Sequence, residues 1–148
     1  MAIKIKLPKF IKEGVCAIFV ALVILMLSAC SSKNYDPNII TNGELLYVEN
    51  CLSCHGVNLQ GQQNWLNALD EDGHRLAPPL NGSGHTWHHP PEMLSEIIKY
   101  GLKSIDSKYE GKMVGNKNLT DEEVLSILEY IKSVWPENLK KEYETNHK

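Results

Sequence analysis

Apolar residues recur at helical spacing in three stretches of the chain. In the clearest stretch they stand at i, i+3, i+4 and i+7, the spacing of one buried helix face. These positions are Val124, Ile127, Leu128 and Ile131. Thr120, followed three residues later by Glu123, predicts a capping box, in which the two residues satisfy free N–H groups at the helix start. We therefore expect a helix that begins after Thr120 and ends before Pro136.

Two earlier helices are predicted from shorter patterns. The first is expected to use Thr41 or Asn42 as its N-cap. Its apolar residues are Leu45, Leu46 and Val48. The second is expected to open at Pro90-Pro91, because proline suits the first helical turn, and to end at Gly101 as a left-handed cap. Its apolar residues are Met93, Leu94, Ile97 and Ile98.

The amino-terminal residues have the organisation of an export signal. Four lysines and one glutamate in residues 1–14 precede an unbroken apolar run of 13 residues and then small residues, as in a secretory signal. Leu27-Ser28-Ala29-Cys30 resembles the lipobox of bacterial lipoproteins, which implies cleavage before Cys30 and acylation of that cysteine. The alternative is an uncleaved membrane helix, for which 13 apolar residues are short against about 20.

These features predict four regions. They are a lipoprotein signal peptide over residues 1–29, the lipidated Cys30 with a polar tether over 30–41, a domain over 42–136, and a charged tail over 137–148. We expect the tail to fray, since it is charged and lies at the end of the chain. Several acyl chains would hold the protein stably to a membrane. The expected location is the bacterial cell envelope, outside the cytoplasm.

Charge limits the partners of the processed chain. Loss of the signal would leave 119 residues with 11 basic and 17 acidic side chains, a net charge of −6. This length suits one small domain. An acidic chain argues against nucleic acid as a partner, because binding to phosphates depends on lysine and arginine.

Cys51-Leu52-Ser53-Cys54-His55 has the C-x-x-C-H spacing that attaches a c-type haem. The two thiols add across the vinyl groups of the porphyrin, and the imidazole reaches the iron. On a helix, residues 51, 54 and 55 share one face, which a flat macrocycle requires. A C-x-x-C pair also occurs in redox dithiols and zinc sites, but no cysteine follows Cys54 to complete a zinc site. The motif predicts one covalent haem c and an iron ligand at His55.

A long connection, residues 56–89, separates this motif from the second predicted helix. Within it, Asp72-Gly73 predicts a hairpin turn. So long a loop is uncommon in a compact domain, and a porphyrin gives it something to pack against.

Several short motifs, taken in order, resemble those of the class I cytochromes c over Asn42 to Trp135. They are Gly43-x-x-x-Tyr47, Cys51 to Gly56, Pro78-Pro79-Leu80, Tyr100-Gly101-Leu102, Met113, Leu119 to Glu123 and Leu128 to Ile131. The resemblance implies an all-α fold, with three main helices and long loops wrapped around a covalent haem. It implies that the first and last helices cross where Gly43 lies beside Tyr130. It also implies that the Pro78 carbonyl binds the second ring nitrogen of His55, as partners of metal-bound histidines do.

The same resemblance makes Met113 the sixth iron ligand. A thioether is a soft, neutral ligand, and His/Met ligation raises the reduction potential. The family's methionine is commonly followed by proline, whereas Val114 and Gly115 follow Met113 here, which loosens the loop. Two alternatives remain open: Met113 as an apolar contact, and Met93 as the ligand, although Met93 stands on an apolar helix face.

Three histidines, His85, His88 and His89, cluster immediately before Pro90. They are interpreted in three ways. In the first, they are loop histidines that form hydrogen bonds with the backbone. In the second, they are ligands of a copper or zinc ion. In the third, one of them is an iron ligand or a redox-linked proton site.

Three further side chains are candidates for contact with the haem. Trp65 and Trp87 are expected to pack on its edge, where an indole N–H reaches a propionate, or to serve only as core residues. The guanidinium fork of Arg75, the only arginine of the chain, suits a propionate carboxylate. A surface arginine after a turn is the alternative.

The sequence thus predicts a membrane-tethered mono-haem cytochrome that carries single electrons between respiratory redox partners and is not an enzyme. A variant is a cytochrome subunit of a larger oxidoreductase. Two other classes stay open. One is a haem-based ligand-binding or sensor protein with an open sixth site. The other is a metal-handling module that binds copper through His85, His88 and His89.

Overall fold

The part of the chain that the computed structural model describes, residues 37–147, is helical. Its five α-helices are α1 (Pro37–Asn50), α2 (Leu52–His55), α3 (Pro91–Tyr100), α4 (Asp121–Ser133) and α5 (Glu137–Asn146). Pairing of β type within these residues is limited to one bridge between Leu69 and Arg75. The all-α prediction is confirmed. The predicted signal peptide, Cys30 and the first part of the tether lie outside the described residues.

Helix α1 begins before its expected N-cap. The part of this helix that the structure describes starts at Pro37. Thr41 and Asn42 therefore lie inside the helix, and the predicted start was wrong. The last five residues assigned to the tether, 37–41, belong to α1. None of the helices between residues 37 and 147 is both long and apolar enough to cross a bilayer.

Helices α1 and α4 pack directly against each other at Gly43. A Cβ atom on Gly43 would lie 1.9 Å from the carbonyl oxygen of Ser126 and 2.9 Å from Cβ of Tyr130. Next to this contact, the rings of Tyr47 and Tyr130 lie 5.4 Å apart. The crossing implied by the resemblance is confirmed, and only glycine permits so close an approach of the two helices.

Helix α4 matches its prediction. The Thr120 hydroxyl accepts the N–H of Glu123 at 3.2 Å, and the Glu123 carboxylate accepts the N–H of Thr120 at 2.8 Å. The four residues of the predicted apolar stripe are all buried: Val124, Ile127, Leu128 and Ile131. Together with Tyr47 of α1 and Leu94 of α3, they form the core of the domain.

Helix α3 also has the expected ends. Pro90 is its N-cap, and it ends at Gly101, where φ is +81° and the N–H donates to the Ile97 carbonyl. The ψ of 171° at Gly101 is extended, however, so this glycine turns the chain away from the helix without adopting a left-handed helical conformation. The turn directs the chain toward Met113.

The charged tail forms helix α5 instead of fraying. Helix α4 ends at Ser133, and Pro136 serves as the N-cap of α5. One turn from the end, Tyr143 is only 4 % exposed, and its ring meets the edge of Trp135 at 5.2 Å. Burial of one large aromatic side chain offsets part of the entropy lost on ordering the segment. The prediction considered the charges of the tail and missed this residue.

The long loop between α2 and α3 contains the predicted turn. Gly73 has a φ of +82°, and its N–H donates to the carbonyl of Asp70 at 3.0 Å. The N–H of Asp70 in turn donates to the carbonyl of His74 at 2.8 Å. The hairpin turn at Asp72-Gly73 is confirmed.

Replacement of Gly43 tests the helix crossing. Helix propensity alone predicts that Gly43→Ala stabilises the protein by about 1 kcal/mol. Because the added Cβ would overlap the Ser126 carbonyl, we expect the variant to lose about 3 kcal/mol of unfolding free energy instead. Chemical denaturation measures the change, and a stabilised variant would contradict the crossing.

Tyr47→Phe tests the link between α1 and the turn that follows α2. The Tyr47 hydroxyl donates to the Gly56 carbonyl at 2.6 Å, and its side chain is 1 % exposed. Removal of the hydroxyl leaves this carbonyl without its partner, so we expect a loss of about 1–2 kcal/mol in denaturation experiments. The control is Tyr100→Phe, at a tyrosine that is 42 % exposed. Equal stabilities of the two variants would show that the hydrogen bond contributes nothing.

Candidate haem-binding site

The two cysteines and His55 lie on one helical turn. The Cys51 carbonyl accepts the N–H groups of both Cys54, at 3.2 Å, and His55, at 2.9 Å. Cys51 directly follows α1 and is anchored there by its N–H, which donates to the Tyr47 carbonyl at 2.8 Å. No disulfide joins the two cysteines. This turn is continuous with the helix that crosses α4, so the core of the domain positions it.

The two thiols differ in their surroundings. Cys51 is half-buried, whereas Cys54 is exposed. Burial, and to a smaller extent the neighbouring Cys54, raises the pKa of Cys51 to about 11. Cys51 is therefore protonated at neutral pH, the form of a cysteine that reacts slowly with oxidants and metal ions.

His55 is oriented so that one ring nitrogen is available to a metal ion. Its Nδ1 atom lies 2.9 Å from the Pro78 carbonyl oxygen. A carbonyl can only accept, so Nδ1 carries the proton and Nε2 of the neutral ring keeps a free lone pair. Burial lowers the pKa of His55, against the opposing effect of the Pro78 hydrogen bond, which favours the neutral ring. This donor set fits a haem iron.

A close packing of two loop segments fixes the Pro78 carbonyl. A Cβ atom on Gly61 would lie 2.6 Å from the carbonyl carbon of Pro78. The N–H of Gly61 donates to the His55 carbonyl at 2.8 Å, and the N–H of Gln62 donates to the Ala77 carbonyl at 2.9 Å. Sequence reasoning missed Gly61, because a single glycine in a loop carries no signal of what packs against it.

Met113 lies half-buried in the loop between α3 and α4. Its carbonyl accepts the N–H of Leu102 at 3.0 Å, and its own N–H donates to the Tyr109 hydroxyl at 3.1 Å. Three residues further on, the side-chain amide of Asn116 donates to that of Asn50 at 2.8 Å. The structure thus brings the Met113 loop against the residue that precedes Cys51. Ligation of iron by Met113 stays a prediction.

The Asn50–Asn116 contact was not predicted. The two residues are 66 positions apart, and both are of a type common in loops and at helix ends. Only the folded chain shows that they pair. The contact connects the segment that carries Cys51 to the one that carries Met113.

The three clustered histidines do not converge on a common point. The His85 ring stacks on Trp65 at 5.6 Å, and His89 meets His85 edge-on at 5.3 Å. His88 lies instead against Trp87, at 3.8 Å between ring centres. Burial, with smaller contributions from the other two histidines, lowers the pKa of His85. His85 and His89 are thus in contact with each other, whereas His88 faces Trp87. Binding of copper or zinc by the three histidines stays a prediction.

Within residues 37–147, one group of three metal-ligating side chains has its ligand atoms close together: Asp70, Asp72 and His74. Both carboxylates already face a cation. The ammonium of Lys112 lies 2.7 Å from Asp70 Oδ2 and 2.9 Å from Asp72 Oδ2. Lys112, with help from the backbone N–H of His74, lowers the pKa of Asp70 to about 2. The group is an ion-pair cluster.

Trp87 and Arg75, two of the side chains expected to contact the haem, differ in burial. Trp87 is half-buried against the core, and its indole N–H donates to the Gly84 carbonyl at 3.1 Å. This N–H therefore has a partner within the protein. Arg75 is exposed at the end of the hairpin turn. The proposed contacts of both side chains with haem stay predictions.

Comparison with known proteins identifies the family. A family model described as Cytochrome c matches residues 40–135, which is more than half of the chain. The match includes the C-x-x-C-H motif, Pro78 and Met113. No curated protein and no solved structure gives a significant match. The chain therefore belongs to the cytochrome c family, whose members bind haem c covalently and carry electrons.

Proposed function

We propose that this protein is a membrane-tethered mono-haem cytochrome that passes single electrons between respiratory redox partners outside the cytoplasm. The observation that carries the proposal is the hydrogen bond between His55 Nδ1 and the Pro78 carbonyl. It assigns the free lone pair of the ring to Nε2, on the same turn as Cys51 and Cys54. These three residues would hold the haem, and the haem would supply an iron that changes its charge by one electron.

Met113 would complete the coordination of the iron. Its loop is attached to α1 through Asn116 and Asn50, which supports a position near the haem-bearing turn. A thioether opposite an imidazole stabilises the ferrous state and raises the reduction potential. If His55 and Met113 both bind the iron, no position would be left for a substrate. This arrangement suits electron transfer better than catalysis or gas sensing.

The membrane attachment rests on the sequence Leu27-Ser28-Ala29-Cys30. Because Pro37 already belongs to α1, at most six residues separate an acylated Cys30 from the first helix. Even fully extended, this connection reaches only about 25 Å. The haem domain would stay close to the bilayer surface, where a short tether raises its effective concentration toward membrane-bound donors and acceptors.

Optical spectra of a Met113→Ala variant test the ligation. We expect the wild-type ferric protein to be low-spin, with a weak charge-transfer band from sulfur to iron. In the variant this band is lost, and the ferrous form binds carbon monoxide readily. The control is Met93→Ala, which removes the other methionine of the domain and keeps the band. A wild-type protein that lacks the band and binds carbon monoxide readily would favour the sensor class.

Metabolic labelling with a fatty acid tests the anchor. We expect Cys30→Ala to abolish labelling, because the variant lacks the sulfur that is acylated. It either releases the haem domain in soluble form or accumulates as an uncut precursor. Cys16→Ala is the matched control, since this cysteine leaves with the signal peptide, and its product stays labelled. Labelling that persists in Cys30→Ala would contradict the proposed anchor.

A further inference from the structure

An ion-pair cluster joins the Met113 loop to the hairpin turn of the long α2–α3 loop. Lys112, the residue directly before Met113, places its ammonium 2.7 Å from Asp70 Oδ2 and 2.9 Å from Asp72 Oδ2. Two carboxylates thus share one cation. The contact spans 42 positions of sequence between Asp70 and Lys112. It connects the loop that precedes α3 to the loop that follows it.

The hairpin side of this cluster is held by hydrogen bonds that do not involve Lys112. Asp70 Oδ1 accepts the N–H of Asp72 at 3.0 Å and that of His74 at 2.8 Å. One oxygen of Asp70 therefore shapes its own turn, and the other faces Lys112. The Asp70 side chain is 18 % exposed, so it is more restricted than an ordinary surface carboxylate. Lys112 meets an acceptor whose position is already set.

The segment around Met113 contains two glycines and no proline. Gly111 and Gly115 flank the three-residue segment that contains Met113, and Gly115 has a φ of +73°. Glycine gives a backbone many conformations to lose, and no proline follows Met113 to restrict it. Apart from the cluster, Met113 itself makes backbone hydrogen bonds to Tyr109 and Leu102, and the next attachment of the loop is at Asn116, beyond Gly115. A clamp one residue away compensates for this freedom.

We propose that Lys112, held by Asp70 and Asp72, is a positioning residue that keeps the Met113 loop where the sulfur binds iron. The inference rests on the proposed function, because it needs Met113 to be the sixth ligand. An isolated surface ion pair contributes little. Here a single lysine meets two carboxylates, one of them fixed by its own turn, and the segment it restrains is flanked by glycines. Its effect falls on the local equilibrium between bound and released Met113.

Competition by imidazole for the ferric iron measures this equilibrium. Imidazole takes the sixth position only when Met113 leaves, so a looser loop gives a lower apparent Kd. We expect Lys112→Gln to bind imidazole about fivefold more tightly than wild type, the upper range for an exposed ion pair. Asp70→Asn keeps Oδ1 for the turn and removes only the charge toward Lys112, so it should shift the Kd in the same direction.

Two matched controls separate the clamp from a general effect of charge. Lys117→Gln makes the same charge change at an exposed lysine of the same loop, and Glu110→Gln does so for an exposed carboxylate. Both should bind imidazole as wild type does. In the double variant Asp70→Asn/Lys112→Gln, the affinity for imidazole should rise by less than the two single effects combined, because the partners act through one contact.

Thermal scans distinguish positioning from a structural role. In Lys112→Gln, the sulfur-to-iron band should disappear at a lower temperature, while helical circular dichroism melts as in wild type. Equal Kd values for wild type, Lys112→Gln and Asp70→Asn would overturn the clamp. If the wild-type protein then still shows the sulfur-to-iron band, iron ligation by Met113 would stand. A wild type that lacks the band and binds imidazole as Met113→Ala does would overturn both proposals.

Discussion

The hydrogen bond from His55 Nδ1 to the Pro78 carbonyl is the constraint on which the site depends. It fixes the proton on one ring nitrogen and leaves the other for the iron. The ring is 8 % exposed, so a change of tautomer would leave two ring groups poorly paired in a buried place. The close approach of Gly61 to Pro78 holds the carbonyl in position. Haem attachment by the two cysteines would add a covalent connection to a ligand already oriented.

The helical core positions the partners of the His55–Pro78 hydrogen bond from two sides. On one side, the α1–α4 crossing at Gly43 places Tyr47, whose carbonyl holds Cys51 and whose hydroxyl holds Gly56. On the other side, the indole N–H of Trp135 donates to the Leu80 carbonyl at 2.7 Å, two residues from Pro78. Because Tyr143 packs on Trp135, helix α5 extends this support beyond the residues matched by the family.

Local patterns predicted much of the fold, and contacts distant in sequence were missed. The capping box at Thr120, the proline start of α3 and the turn at Gly73 depend on neighbours within four residues, so the sequence shows them. The C-x-x-C-H motif likewise encodes its own geometry. The Asn50–Asn116 pair depends on how separate segments meet, which no local pattern contains. Helix α5 escaped prediction for a related reason: one buried tyrosine among charged residues determines its packing.

The central claim is that one haem is bonded through two sulfur atoms to the turn that carries His55. Intact mass spectrometry of the purified, matured protein, before and after extraction with acidified acetone, tests it most directly. The account predicts a single species heavier than the acylated polypeptide by one haem, whose colour stays with the protein during extraction. A colourless product, or a pigment that the solvent removes to leave the bare polypeptide mass, would contradict it.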